Sequence, residues 1–169
     1  VIYPIKEDGT LADPTGNVMH SGSSIHPTRQ QQPHPHAFVP SPDNKFAYVP
    51  DLGIDKIKTY AFDETTGKLE ARKDLDVTVA VGAGPRHLIF HPNNKFVYMT
   101  LELSGQVAAY HYDAGRLSPI GSYDLVPAGS KKSQSAEIRT TPNGNYLYVS
   151  NRGHNSITSF SVNQETGAL

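Results

Sequence analysis

Two positions of this sequence carry reactive side chains in some copies of a repeat and unreactive ones in others. The repeat returns every fifty residues, and its first such position reads His36, Arg86 and Ala136. The second position reads Leu52, Glu102 and Arg152. An imidazole, with an ordinary pKa of about 6.5, and a carboxylate can each accept a proton, whereas a guanidinium group stays charged and holds anions through paired hydrogen bonds. The residue types therefore predict proton transfer beside a bound anion.

The repeat that defines these positions is clearest in a turn followed by an aromatic strand. Its copies are PDNKFAYV at 42–49, PNNKFVYM at 92–99 and PNGNYLYV at 142–149. Pro followed by Asp, Asn or Gly predicts a turn, and the aromatic and β-branched residues that follow predict a strand. Self-similarity at one fixed spacing indicates a modular β array.

Each copy of the repeat is predicted to contain four strands. In the first copy these strands cover residues 36–39, 46–49, 56–62 and 69–77. The third strand is apolar on both faces, so both of its faces must be covered. Four antiparallel strands in sheets that stack face to face make the blade of a β-propeller. We therefore expect an all-β chain that forms about half of a seven-bladed ring.

The predicted propeller is a single partial domain over residues 1–169. Residues 1–30, with a hairpin from Tyr3 to Leu11, are expected to end one blade, and three blades follow over about 31–80, 81–130 and 131–169. Both ends of the sequence look cut, so we expect the functional molecule to be longer. A β-sandwich would not repeat side-chain identity at one spacing, helical repeats need a 3.6-residue period, and WD40 blades need Trp, which this sequence lacks.

The composition excludes several classes of partner. With 15 Lys and Arg against 16 Asp and Glu, the chain offers no charged field for nucleic acid or an anionic membrane. It has no apolar run of about 20 residues, and without Cys it can form neither disulfides nor thiolates. We expect a soluble chain that acts in the cytoplasm, with secretion or a periplasmic location left open. No sequence feature indicates an oligomeric state.

The reactive side chains are expected to meet at the mouth of the propeller channel. One position begins the innermost strand of a blade, and the other ends the strand beside it. Because neighbouring strands are antiparallel, these two ends lie on the same face of the ring. His36, Arg86, Glu102 and Arg152 should therefore converge where loops on a rigid scaffold usually carry function.

Several motifs, in this order, resemble the seven-bladed lactonase family. They are Arg29-Gln30, His34-Pro35-His36, Val49-Pro50-Asp51-Leu52-Gly53, Gly82-Ala83-Gly84-Pro85-Arg86-His87, Ala136-Glu137-Ile138 and Ser150-Asn151-Arg152-Gly153-His154. The family contains bacterial 6-phosphogluconolactonases and fungal carboxy-cis,cis-muconate cyclases. The resemblance implies a site on the propeller axis built from a His, two Arg and a Glu. These fall on the four residues that the repeat comparison selects.

The resemblance implies hydrolysis of an anionic sugar lactone such as 6-phosphogluconolactone. His36 or Glu102 would take a proton from water, while Arg86 and Arg152 would clamp a phosphate or carboxylate and steady the oxyanion. The side chains expected to contact the substrate around them are Arg29, His34, His87 and Asn151. The chemistry needs no cofactor.

Other interpretations of the same residues stay open. Closing a muconate carboxylate onto an alkene needs the same groups with the proton donor exchanged, although the motifs favour the lactonase side. A propeller that only binds a ligand or a protein is a further alternative, and each of the reactive side chains could instead make a structural bond or salt bridge. We expect no metal, because the sequence around Asp51 and Asp55 lacks the oxygen ligands of a calcium loop.

Overall fold

Twelve strands form three sheets in the part of the chain that a computed structural model describes, residues 1–130 and 134–169. The first residues of the predicted third blade, 131–133, lie outside the described residues. The first sheet contains β1 (Val39–Pro40), β2 (Phe46–Asp51), β3 (Lys56–Phe62), β4 (Leu69–Ala71) and β5 (Val77–Thr78). The second contains β6 (Pro85–Phe90), β7 (Phe96–Leu101), β8 (Gln106–Asp113) and β9 (Arg116–Asp124). The third contains β10 (Gln134–Thr140), β11 (Tyr146–Arg152) and β12 (Ser156–Ser161).

Each sheet is an antiparallel meander drawn from one copy of the repeat. The strand orders are β1-β2-β3-β4, β6-β7-β8-β9 and β10-β11-β12, and β5 pairs with the far end of β3. The predicted all-β class is confirmed. A single 3₁₀ turn, Lys73–Leu75, is the only helical element among the described residues, and it is far too short to cross a membrane.

The turn between the first two strands of each sheet uses the left-handed backbone region. Asn44 (φ 54°), Asn94 (φ 60°) and Gly144 (φ 73°) occupy the same repeat position. Each donates its backbone N–H to the carbonyl three residues earlier, at 2.9, 2.8 and 2.9 Å respectively. Asn and Gly tolerate this conformation better than other residues. The repeated turn therefore sets the same register in all three hairpins.

The apolar core lies between the sheets, as expected for stacked blades. Between the first and second sheets, Tyr48 packs with Val97 and Met99, and all three are fully buried. The hydroxyl of Tyr48 donates to the Gly115 carbonyl at 2.9 Å. One repeat later, the hydroxyl of Tyr98 donates to the Gly167 carbonyl at 3.0 Å. Each Tyr thus anchors its sheet to a turn of the next one.

Two strand predictions in the first sheet are wrong in extent. The outer strand predicted over 69–77 is interrupted after Ala71, because the Asp76 carboxylate and the Leu75 carbonyl take the N–H and hydroxyl of Thr59 at 2.9 and 3.1 Å. The inner strand predicted over 36–39 is reduced to Val39–Pro40 and a lone bridge between Pro35 and Asp51. Proline has no N–H to donate to a strand ladder. The pairing between this segment and β2 contains three prolines, Pro35, Pro40 and Pro50. The predicted hairpin at residues 3–11 has a single bridge, Ile5 to Leu11.

The tyrosine anchors can be tested by removing one hydroxyl. Tyr98→Phe should lower the free energy of unfolding of this chain by about 1 kcal/mol, because the buried Gly167 carbonyl loses its donor. Urea denaturation followed by circular dichroism measures this change. Tyr148→Phe is the matched control, since the same repeat position is 41% exposed in the third sheet. Equal losses in both variants would contradict a role for the bond between the sheets.

Candidate active site

Glu102 lies at the centre of a cluster of three arginines. Its side chain is 1% exposed. Oε1 accepts a hydrogen bond from Arg29 Nη2 at 2.7 Å, and Oε2 lies 3.0 Å from Arg152 Nη2. Arg86 Nε is 2.9 Å from the same Oε2, an ion pair without the alignment of a hydrogen bond. The structure therefore brings Arg86, Glu102 and Arg152 together as the sequence predicts, and adds Arg29.

Strand ends from two sheets place these side chains. Glu102 directly follows β7, and its N–H donates to the Gly84 carbonyl at 2.8 Å just before β6. Arg86 is the second residue of β6, where a bulge interrupts the pairing with β7 between Pro85 and Leu88. Arg152 is the last residue of β11. Bulges next to active sites commonly re-aim side chains, and here Arg86 turns towards Glu102.

The arginines outweigh the burial of the carboxylate. Burial acts to raise the pKa of Glu102, but the hydrogen bond from Arg29 and the charges of Arg29, Arg152 and Arg86 together lower the pKa below its ordinary value. The side chains of Arg29 and Arg152 are 38% and 49% exposed, whereas that of Arg86 is 13% exposed. The cluster thus carries an excess of two positive charges, and its two outer guanidinium groups face solvent.

A pair of imidazoles lies beside Arg86. The rings of His36 and His87 meet edge to face with their centroids 5.1 Å apart. Desolvation and then the charge of Arg86 lower the pKa of His36. Burial and the same charge lower the pKa of His87, which Glu137 acts to raise. Both imidazoles are therefore neutral near pH 7 and able to accept a proton.

Glu137 is a residue of this region that sequence reasoning missed. Its Oε2 is 2.9 Å from His87 Nδ1, and its Oε1 lies 2.8 Å from Arg139 Nε in an ion pair. The signal was available, because the repeat position next to His36 reads Ala37, His87 and Glu137. This position varies between copies just as the neighbouring position of His36, Arg86 and Ala136 does.

The loop that carries Arg29 is held by two buried polar residues. Gln30 is fully buried, and its Nε2 donates to Asp55 Oδ1 and to the Leu52 carbonyl, each at 2.8 Å. Asp55 also accepts the N–H groups of Gly82 and Gly84 at 2.7 and 2.8 Å. Asp55 thereby connects the Arg29 loop to the segment that leads into β6 and Arg86.

Asp51 is at the centre of a second buried network. Its Oδ2 lies 2.6 Å from His20 Nδ1, and His20 Nε2 is 2.8 Å from the Tyr60 hydroxyl. Its Oδ1 accepts the backbone N–H of His34 at 2.7 Å. A cavity of about 870 Å³ between the N-terminal segment and the first sheet is lined by His20, Tyr60 and His36. His34, predicted to contact substrate, is exposed and is held here through its backbone.

Asn151, also predicted to contact substrate, is buried and directly precedes Arg152 in β11. Its Nδ2 donates to Thr158 Oγ1 at 2.8 Å and lies 3.3 Å from Ser156 Oγ, so the amide ties the end of β11 to β12. Within residues 1–130 and 134–169, no three His, Asp or Glu side chains come together as metal ligands would.

The sequence matches a known family along its whole length. A profile described as "Lactonase, 7-bladed beta-propeller" matches residues 1–169. The chain belongs to this lactonase family of seven-bladed β-propellers. The resemblance and the propeller fold predicted from the sequence are both confirmed.

Individual lactonase relatives agree with this assignment. A 6-phosphogluconolactonase of Bacillus subtilis is 39% identical, over 99% of this chain and 48% of its own length. A 6-phosphogluconolactonase of Formosa agariphila is 34% identical, over 99% and 48%. The solved structure of a periplasmic gluconolactonase of Pseudomonas aeruginosa superposes with a TM-score of 0.90 at 37% identity, over 99% of this chain and 47% of that one. The chain thus spans about half the length of the relatives it matches.

The role of Glu102 as the counter-ion of three arginines can be tested by neutralising it. Glu102→Gln should destabilise the protein by about 2–3 kcal/mol, because three guanidinium groups then repel one another around a buried amide. The loss should be smaller than the roughly 3–5 kcal/mol of a fully buried broken pair, because two of the arginines are partly exposed. Asp74→Asn, in the exposed pair with Arg72, is the control and should leave the unfolding midpoint in urea unchanged.

The pH dependence of the free energy of unfolding at acidic pH tests the same carboxylate. Because the folded pKa of Glu102 lies below its ordinary value of 4.5, the stability it contributes is present above that pH. It is lost as the pH falls through the lowered pKa. Stability of Glu102→Gln, measured in urea from pH 6 down, should therefore fall less steeply than that of the wild-type protein. Parallel curves would show that the carboxylate is not stabilised by its arginines.

Proposed function

We propose that the complete protein hydrolyses a phosphorylated sugar lactone, with 6-phosphogluconolactone as the substrate that fits best. The observation that carries this proposal is the excess positive charge of the cluster around Glu102. Three guanidinium groups surround one carboxylate, and the side chains of Arg29 and Arg152 are partly exposed. Guanidinium groups bind phosphate through paired, charge-assisted hydrogen bonds, and a phosphate monoester carries up to two negative charges near neutral pH.

Glu102 has a positioning role in this proposal. Both of its oxygens are engaged by guanidinium groups, and its lowered pKa makes it a poor proton acceptor near pH 7. It holds Arg29, Arg86 and Arg152 at fixed places before the substrate arrives. An anion that binds the outer arginines therefore needs little rearrangement of the protein.

The imidazole pair supplies proton transfer. His36, the base candidate from the sequence, and His87 both lie beside Arg86. A neutral imidazole takes a proton from the attacking water, and Arg86 stabilises the negative charge that develops on the carbonyl oxygen. His34 and Asn151 hold the segment before β1 and the end of β11, and the exposed side chain of His34 is accessible to substrate.

The relatives favour hydrolysis over the other candidates. Those compared above are named 6-phosphogluconolactonase or gluconolactonase, which supports lactone opening rather than muconate cyclisation or binding alone. A phosphorylated substrate also favours action in the cytoplasm. The cytoplasmic location is proposed on this ground alone, since one of these relatives is periplasmic.

A coupled assay with the full-length protein tests the proposal. Hydrolysis of 6-phosphogluconolactone should exceed the spontaneous rate, and Arg152→Ala should lower kcat/KM by about 10–100-fold, the effect of losing a charge-assisted hydrogen bond. The loss should be smaller for the unphosphorylated lactone, which lacks the phosphate.

Arg116→Ala, an exposed arginine at the start of β9, is the matched control and should keep wild-type kinetics. A wild-type rate no higher than the spontaneous reaction would overturn the lactonase proposal. Equal losses on both substrates would overturn the role of Arg152 in binding phosphate.

A further inference from the structure

His87 and Glu137 occupy the same repeat position in neighbouring sheets and meet across the interface between them. His87 belongs to β6 and Glu137 to β10, fifty residues later. The separation of His87 Nδ1 and Glu137 Oε2 is 2.9 Å. The side chains are 27% and 45% exposed, so the pair is accessible from solvent. Equivalent backbone positions thus present an acid and an imidazole to each other.

The backbone of both residues is fixed in the same way. Each lies within the bulge of its strand pair, between Pro85 and Leu88 in one sheet and between Ser135 and Ile138 in the other. The N–H of His87 donates to Thr100 Oγ1 at 3.0 Å, and the N–H of Glu137 donates to Ser150 Oγ at 3.0 Å. The first sheet has Pro50 at the position of these hydroxyls and Ala37 opposite, so it has no such pair.

The contacts determine which ring nitrogen of His87 carries the proton. An ionised carboxylate only accepts hydrogen bonds, so Nδ1 is protonated and donates to Glu137. Nε2 then holds the lone pair. Arg86 Nη1 lies 3.3 Å from Nδ1 and 3.2 Å from Nε2 of His87. An atom at such nearly equal distances from both nitrogens lies over the face of the ring, because an in-plane position would clash with the ring carbons. The in-plane lone pair of Nε2 is therefore not taken by Arg86.

We propose that His87 is the catalytic base of the lactonase reaction and that Glu137 is its positioning residue. This inference rests on the function proposed above. Nε2 of His87 takes a proton from water as the water oxygen bonds to the lactone carbonyl carbon, and the π electrons move to the carbonyl oxygen beside Arg86. When the carbonyl re-forms, the ring C–O bond breaks and the imidazolium returns the proton to the departing oxygen. Water and lactone thus give the open hydroxy acid.

The comparison with His36 favours His87. The backbone N–H of His36 donates to the Pro50 carbonyl at 2.9 Å. Its exposed ring meets His87 edge to face and bonds its own backbone, and no carboxylate of the described residues is hydrogen-bonded to it. A catalytic imidazole needs one nitrogen held by a fixed acceptor, as Glu137 holds Nδ1 of His87. His36 lies at the right place to contact substrate, but no carboxylate of the described residues bonds its ring to orient it and stabilise the imidazolium, as Glu137 does for His87.

Charged and titratable groups face His87 from three segments. Arg86 precedes it on β6, His36 approaches from the segment before β1, and Glu137 and Arg139 come from β10. The cationic groups favour the neutral ring and Glu137 favours the imidazolium. Removing the negative charge of Glu137 should therefore lower the pKa of His87 further.

Kinetics of the full-length protein on 6-phosphogluconolactone test the base. His87→Gln should lower kcat by at least about 100-fold, the usual contribution of a general base, with KM within about threefold of the wild-type value. His36→Asn should lower kcat by less than about tenfold. His111→Gln, an exposed histidine on β8, is the control and should behave as the wild-type protein does.

The pH profile tests the positioning residue. Glu137→Gln should move the acid limb of kcat/KM to lower pH by about one unit, because a nearby carboxylate raises the pKa of an imidazole by about that amount. The ring signals of His87 in an NMR titration should move in the same direction, a readout independent of turnover. A protein that had merely lost packing would become less active without this shift.

The possible outcomes distinguish a failure of the proposed catalytic base from a failure of the proposed lactonase function. Wild-type hydrolysis at the spontaneous rate overturns the lactonase proposal, and the base with it. Wild-type activity with an active His87→Gln variant overturns the base alone, as does a His36→Asn variant that loses about 100-fold while His87→Gln does not. An unchanged acid limb and an unchanged His87 titration in Glu137→Gln overturn the role of Glu137.

Discussion

The site depends on the ion pairs of one buried carboxylate. Glu102 lies at the end of β7 and is contacted by Arg29 from the N-terminal segment, Arg86 from its own sheet and Arg152 from the next sheet. A carboxylate with 1% exposure is costly unless it is paired, and three guanidinium groups would repel one another without it. The arginines therefore offset the cost of burying the carboxylate, and the carboxylate reduces the repulsion among the arginines. The result is a concentration of positive charge that is present before any ligand binds.

The sheets supply the rigidity that this arrangement needs. The buried apolar side chains between the sheets are at most 7% exposed. The Tyr48 and Tyr98 hydroxyls also join each sheet to a turn of its neighbour. Loops extend from this scaffold towards the arginine cluster. Gln30 and Asp55 connect the loop of Arg29 to the entrance of β6, so the one arginine outside the repeats is also held by buried hydrogen bonds.

Much of the fold and part of the site follow from the repeat in the sequence. The fixed spacing predicts the hairpins and the stacking, and reactive residues at variable repeat positions predict the meeting of Arg86, Glu102 and Arg152. Prolines shorten β1 in a way that the apolar pattern does not show, and Asp76 interrupts the outer strand through a side-chain bond. Arg29 came from the family resemblance alone, since it lies outside the repeated copies. Its bond to Glu102 depends on Gln30 and Asp55, whose partners are distant in sequence and have no periodic signal.

The split origin of the arginines constrains how such a ring can grow. Any two modules of this kind can stack, because the tyrosine anchors and apolar faces recur from copy to copy. Duplicating one fifty-residue module between the second and third sheets would preserve the stacking and keep Arg86 beside Glu102, yet it would carry Arg152 one place further around the axis. The order of the blades is thus constrained by charge pairing at the centre, where the copies differ, more than by the apolar faces and tyrosine anchors, which recur from copy to copy.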